Sequence, residues 1–222
     1  MQIKERLNEI SNNIKSFATA DDIKLVAVTK YADDAQVIEA EKLGVKIFGE
    51  NYVGPALEKI KRLTPYFTNK VEWHLTGTLQ KNKVNKAVGN FSLIQSIDSI
   101  ELLEKVDARS KSMNIKQDVL IQINISNSPT KHGFSKEDFE TNISKILSFE
   151  NVSIKGLMTM FEHGQDSESL EKELQIMNNL KILLKSFKPE NEFELSMGMS
   201  GDYCAALKGG ASMIRIGRAL FG

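Results

Sequence analysis

Cysteine is almost absent from this chain. Cys204 stands alone among 222 residues, so no intrachain disulfide can form and a disulfide-stapled fold is excluded. Proline is scarce too, with four residues, and no Pro/Ser-rich linker, repeat or low-complexity stretch divides the sequence, so one domain over 1–222 is expected. An excess of either charge is also missing. Twenty-nine basic residues face 29 acidic ones, which removes the broad positive field that non-specific attachment to nucleic acid or anionic membrane needs. Neither partner is expected. No apolar run reaches the roughly 18 residues of a membrane span, and the opening MQIKERLNEI reads as an amphipathic helix, not as the charged start and apolar core of a secretion signal. A cytoplasmic location is expected. His132 and His163 lack metal-ligand spacing and no zinc or calcium motif is visible, so no metal is expected.

What is present is an alternation of periods. Hydrophobic residues make up 41% and charged residues 26%, ordinary values for a soluble globular protein. Short β-branched runs at 24–29, 45–48, 71–75, 92–96, 118–124, 152–158, 193–197 and 213–216 read as strands. Helical stretches lie between them at about 33–43, 52–63, 80–88, 98–111, 136–148, 167–187 and 201–209, after an opening helix near 2–18. Helix starts are marked by Asp33-Asp34, by Asp98, and by Ser135 with Asp138 three residues on. Strict alternation implies crossovers between parallel strands with helices outside. Eight units predict an α/β fold, a single (β/α)8 TIM-type barrel with an extra N-terminal helix. In such barrels ligands sit at the carboxyl ends of the strands, which directs attention to the residues that follow each strand.

Lys30 closes the first strand, LVAVTK. A lysine at the rim of an apolar barrel loses part of its hydration, which favours the neutral amine that attacks an aldehyde to give an imine. The alternative is that strand-end lysines usually just point to solvent. The segment LSMGMSGDYCAALKGGASMIRIGRALFG adds weight to the chemical reading. Ser200 sits where a helix would begin, and Gly217-Arg218 follow the last strand. The hydroxyl and the backbone N–H groups of these two turns suit a phosphate dianion, although each glycine taken singly also reads as a plain turn residue. Arg215, inside the last strand, needs an anion or an acceptor to face. An arginine beside a pyridine nitrogen would keep that nitrogen unprotonated and weaken the ring as an electron sink.

With these residues assembled, the sequence resembles the pyridoxal phosphate homeostasis proteins of the YggS/PROSC kind, related in fold to the barrel domain of alanine racemase. The matching stretches are LVAVTK, FGENYV, WHLTGTLQKNK, QINISNSPTKHGF, GLMTM, LSMGMSGD and IRIGRALFG, spread over nearly the whole chain. The resemblance implies that pyridoxal 5′-phosphate (PLP) is the cofactor, carried as an internal aldimine on Lys30. It implies that Arg215 faces the pyridine nitrogen, that Ser200, Gly217 and Arg218 hold the phosphate, and that Asn51 forms a further wall. Lys131 matches a second family lysine that receives or passes on the cofactor; taken alone it reads as a solvated loop lysine. Trp73 and His74 match the family's WH pair, and His74 is read as structural. Arg218 stands where small residues are common, and the sequence stops at Gly222 without the short tail of many members.

A racemase needs a second acid/base group opposite the lysine. Related racemases take it from an additional β-domain, which is not expected here, and nothing in the sequence nominates a replacement. The functional expectation is a monomeric carrier that holds PLP reversibly for intracellular vitamin B6 homeostasis and for PLP-requiring apoenzymes, with no catalytic residues assigned. A weak PLP-dependent amino-acid racemase and a Schiff-base aldolase of the barrel type remain as alternatives, as does a non-covalent binding module in which Lys30 is structural.

Overall fold

The computed structural model describes residues 2–20, 22–126, 131–162 and 164–222. His163 and the 127–130 part of the QINISNSPTKHGF stretch lie outside the described residues.

Eight parallel strands close on themselves in the order of the chain: β1 (Lys24–Val28), β2 (Ile47–Glu50), β3 (Glu72–Leu75), β4 (Leu93–Ile97), β5 (Gln117–Ile123), β6 (Val152–Thr159), β7 (Glu194–Ser196) and β8 (Met213–Ile216), with β8 returning to pair with β1. The helices are α1 (Ile3–Phe17), α2 (Asp34–Lys42), α3 (Val53–Leu63), α4 (Val84–Ala87), α5 (Ile100–Ser112), α6 (Lys136–Leu147), α7 (Ser167–Phe187), α8 (Tyr203–Lys208) and α9 (Arg218–Phe221). This is the expected (β/α)8 barrel with an additional helix at the N-terminal end.

Alternation along each strand sorts residues between two compartments. Ala27, Phe48, Trp73 and Ile94 belong to the large core between strands and helices, whereas Val26, Leu93, Leu120, Met158 and Met213 form a separate small cluster filling the barrel. Phe48 and Trp73 meet with ring centroids 5.2 Å apart, and Phe67 stacks on both, sealing the outer face of β2 and β3. Trp73 thus faces the helices, and His74, one residue on, faces inward.

Boundaries moved where polar burial overrode pattern. The second strand extends through Glu50, two residues beyond the sequence expectation, because Glu50 is buried against Lys59 and a charge that is paired inside the wall need not end a strand. The start of α5 is capped by Ser99, whose hydroxyl accepts the Leu102 N–H at 3.3 Å, in place of the expected Asp98; Asp33 and Ser135 cap α2 and α6 as the sequence indicates. The expected 80–88 helix is a 3-10 turn at Lys81–Lys83 followed by the single turn of α4, and α9 was not anticipated because four residues carry no period.

A bulge in β6 skips Lys155 between the β5 partners Val119 and Leu120, and Gly156 makes it possible. At φ +148° a Cβ there would lie 2.1 Å from the Glu194 carbonyl oxygen. At the other end, α1 packs on α8 and α9, with Asn13 Nδ2 donating to the Tyr203 hydroxyl at 2.6 Å. The extra helix therefore braces the two helices whose leading loops form part of the cavity described next. Among the described residues no helix is long and apolar enough to cross a membrane.

Candidate functional site

The carboxyl ends of the strands surround an open cavity of about 1560 Å³. Lys30, Asn51, Ser200, Arg215, Gly217 and Arg218, the six residues nominated by the sequence, all line it. Lys83 adds a further cation, and Asp202 and Glu162 are the acids on its wall among the described residues. The balance favours an anionic occupant.

Lys30 follows β1 and its side chain is exposed, with Nζ 5.0 Å from the centroid of the Tyr31 ring. The expected loss of hydration is therefore not present at this lysine. It projects over an aromatic face at the cavity wall.

The two loops at the end of the chain are joined directly, because Ser200 Oγ accepts the backbone N–H of Ala219 at 3.1 Å. Ser200 does not open α8, as the sequence suggested; the helix starts at Tyr203. The reason is local. Asp202 Oδ1 accepts the Met199 N–H at 2.6 Å and holds 199–202 as a turn, delaying the helix. Gly217 precedes α9 and Arg218 opens it, placing backbone N–H groups without intrahelical acceptors at the cavity wall; the Arg218 side chain is exposed.

Arg215 is buried, and its guanidinium is tied on two sides. Nη1 donates to Ser196 Oγ and Nη2 to the Thr159 carbonyl, both at 2.7 Å. Burial pushes its pKa down to about 10, against the upward pull of Asp202, so it remains a cation at neutral pH. Beneath it a polar column crosses the barrel. Ser196 Oγ donates to Gln95 Oε1 (2.7 Å), Gln95 Nε2 meets His74 Nδ1 (3.0 Å), and His74 Nε2 meets Glu72 Oε2 (3.4 Å).

Burial holds the His74 pKa below the ordinary histidine value of 6.5, with Glu72 pulling the other way. The folded protein thus resists a protonation that the unfolded chain accepts. The stability this confers is fully present above about pH 6.5 and is lost as the pH falls below it. Urea unfolding measured across that range should show a declining stability in the parent protein and a flatter profile in His74→Gln. The same slope in both would assign the acid sensitivity to other groups.

Sequence reasoning missed the cluster that supports Lys30. Lys59 Nζ, on α3, donates to Glu50 Oε1 and to the Thr29 carbonyl, both at 2.6 Å, and Thr29 Oγ1 donates to the same carboxylate oxygen at 2.6 Å. The residue before Lys30 is thereby anchored. The one available signal was an acid, Glu50, at the end of the short strand IFGE.

Asn51 Oδ1 accepts from Thr76 Oγ1 at 3.0 Å, and the backbone of Asn51 lies against Gly77 so closely that a Cβ at 77 would sit 2.4 Å from its carbonyl oxygen. Gly77→Ala should push the Asn51 wall outward and cost about 1–3 kcal/mol. Thermal unfolding together with ligand titration checks this; a variant unchanged in both would mean that the loop yields freely.

Lys131 is not a solvated loop lysine. It is part-buried, with Nζ 3.4 Å from the Met160 carbonyl oxygen and 3.6 Å from Glu162 Oε1, both residues of the cavity wall. The exposed His132 pairs with Asp98 at 3.3 Å. No cluster of three or more His, Cys, Asp and Glu suited to a metal occurs among the described residues.

This geometry agrees with what the chain is similar to. Residues 6–222 match the family described as alanine racemase, N-terminal domain. A pyridoxal phosphate homeostasis protein of Vibrio alginolyticus is 32% identical over 226 residues, covering 99% of this chain and 97% of that protein. The human protein of the same name is 36% identical over 212 residues, 90% of this chain and 76% of that one. The chain belongs to the pyridoxal phosphate homeostasis proteins. The structure of PipY from Synechococcus elongatus with PLP bound superposes with a TM-score of 0.88 at 32% identity, each chain covered in full. Alanine racemase from Clostridium difficile shares the fold at 20% identity and a TM-score of 0.76, this chain spanning 59% of it.

Proposed function

We propose that this chain binds pyridoxal 5′-phosphate in the barrel mouth, attached covalently through Lys30, and holds it for intracellular B6 homeostasis without efficient turnover of a substrate of its own. The observation that carries this reading is the convergence of an exposed amine, a buried arginine and two linked N–H-rich loops on one cavity. The residues fit the group. Ser200, Gly217 and Arg218 would receive the phosphate, Arg215 the pyridine nitrogen, and Asn51 would close a side. When bound, the cofactor supplies an aldehyde that condenses reversibly with amines.

The chain's own residues favour carriage. Arg215 can only donate, so it leaves the ring nitrogen unprotonated and does not build an electron sink. Of the tyrosines that line the cavity, Tyr31 and Tyr52 are 83% and 69% exposed, so neither is held in a dry, fixed position suited to proton transfer, and the buried Tyr203 has its hydroxyl engaged by Asn13 of α1. An open mouth also gives an incoming amine access to the linkage. PLP-requiring apoenzymes in the cytoplasm are the recipients this reading implies, with 1–222 acting as one domain and as a monomer.

The deciding experiment is near-ultraviolet and visible absorption of the purified protein before and after borohydride, with peptide mapping of the reduced adduct and an amino-acid racemisation assay alongside. A reducible band mapping to Lys30 with negligible turnover is expected. Substantial racemisation would make the chain an enzyme, and no band after adding PLP would overturn the reading.

A further inference from the structure

The polar column beneath Arg215 has a direction fixed by chemistry. Arginine is a pure donor. Its Nη1 therefore makes Ser196 Oγ an acceptor, and the serine hydroxyl passes its own hydrogen to Gln95 Oε1. Gln95 must then turn its NH2 toward Nδ1 of His74, which carries the lone pair, leaving the ring proton on Nε2 to face Glu72. Every donor points away from the cavity. The line ends on a carboxylate at the first residue of β3, at the opposite end of the barrel, where the Glu72 side chain is 57% exposed.

We propose that Glu72, His74, Gln95 and Ser196 are positioning residues that lock Arg215 in one orientation, as a donor toward the ring nitrogen of bound pyridoxal phosphate. The proposal rests on the cofactor reading of the cavity. Hydrogen bonds in one sense strengthen one another, so the carboxylate at the far end makes Ser196 a better acceptor for the guanidinium. The Thr159 carbonyl holds the second guanidinium nitrogen, and the two attachments fix its plane. Removing the acceptor at His74 frees the Gln95 amide to rotate. Its NH2 then faces Ser196, whose hydroxyl loses its acceptor, and the Arg215 contact loosens.

Protonating His74 has the same effect, because it sets an N–H against the Gln95 NH2. The charged groups that act on the ring are Glu72 on its own strand, Glu194 on β7 and Lys24 on β1; the two acids favour the cation, and Lys24 opposes it. The contact from β4 is the neutral Gln95, which also reaches the sulfur of Met213 on β8.

The test compares the parent protein with His74→Leu and His74→Gln, titrating each with pyridoxal phosphate and recording the spectrum of the bound cofactor against pH. Glutamine restores both bonds, since its carbonyl accepts from Gln95 and its NH2 donates to Glu72. His74→Leu should weaken binding on the order of tenfold and shift the absorbance maximum, with His74→Gln staying within about twofold of the parent. Ser196→Ala cuts the line next to Arg215 and should reproduce the leucine result, which keeps the test open if His74→Leu fails to fold. Leucine and glutamine variants that behave alike, whether both unchanged or both shifted, would overturn the proposal. Nitrogen-15 NMR of the cofactor-free protein supplies an independent readout. A neutral His74 ring protonated on Nε2 is expected at neutral pH; an Nδ1–H ring or a charged ring would overturn the line whatever the cofactor does. Absence of a cofactor band in the parent protein would instead sink the cofactor reading, with the ring state still judging the line.

Discussion

Lys30→Ala is expected to abolish all borohydride-fixable cofactor while leaving the barrel intact. Lys30 is exposed and, among the described residues, its side chain meets only the Tyr31 ring, at 5.0 Å, an interaction worth about 0.5–1 kcal/mol at such a site. Its removal should therefore barely move the urea midpoint. The loops at Ser200 and Gly217 remain, so weak non-covalent binding should persist and be lost to competing inorganic phosphate. Absorption after borohydride, with mass spectrometry of the adduct, measures the effect. An adduct that persists and maps to Lys131 or Lys83 would move the anchor to another lysine, and cofactor absorbance unchanged from the parent would favour a non-covalent module with Lys30 structural.

Lys59→Met is expected to give the largest loss of stability, about 3–5 kcal/mol, because it strands the Glu50 carboxylate inside the wall. The two side chains are only 13% and 4% exposed, so solvent cannot take the place of the missing cation. Glu50→Gln in the same chain should recover much of the loss, since it removes the charge that the methionine leaves unpaired. The single variant should also bind the cofactor less well, because Lys59 holds the Thr29 carbonyl next to Lys30. Urea unfolding of both variants checks this. A loss below about 0.5 kcal/mol for Lys59→Met would show that water reaches Glu50 and that the pair behaves as a surface bridge.

The two variants separate chemistry from support, and the sequence disclosed these two parts very unequally. The strand-helix alternation was legible because each element carries its own period, as in LVAV for β1 or the apolar stripe of α7. Lys30, Ser200, Gly217 and Arg218 were legible for a related reason: each lies in a short loop at the end of a strand, and the barrel rule says where such loops converge. Errors arose where neighbours in space overrode neighbours in sequence. Pattern ended β2 at Phe48, where the apolar run stops before Gly49, and the partner that lets Glu50 lie buried at the strand's end comes from α3. The same holds for Lys131, which read as solvated until Glu162 and the Met160 carbonyl were brought beside it.

By itself the sequence determined the fold class and the strand ends at which Lys30, Ser200, Gly217 and Arg218 stand, since these follow from local periodicity and strand-end position. Only the tertiary structure decided that Lys30 is exposed, that Ser200 ties the two loops together through Ala219, and that Arg215 stands on Ser196, Gln95, His74 and Glu72. Arg215 and the four residues beneath it come from four strands, and all but Glu72 are buried polar groups where hydropathy expects apolar ones. Barrel closure alone sets their order, because a hydrogen bond between strands distant in sequence leaves no spacing in the chain to read.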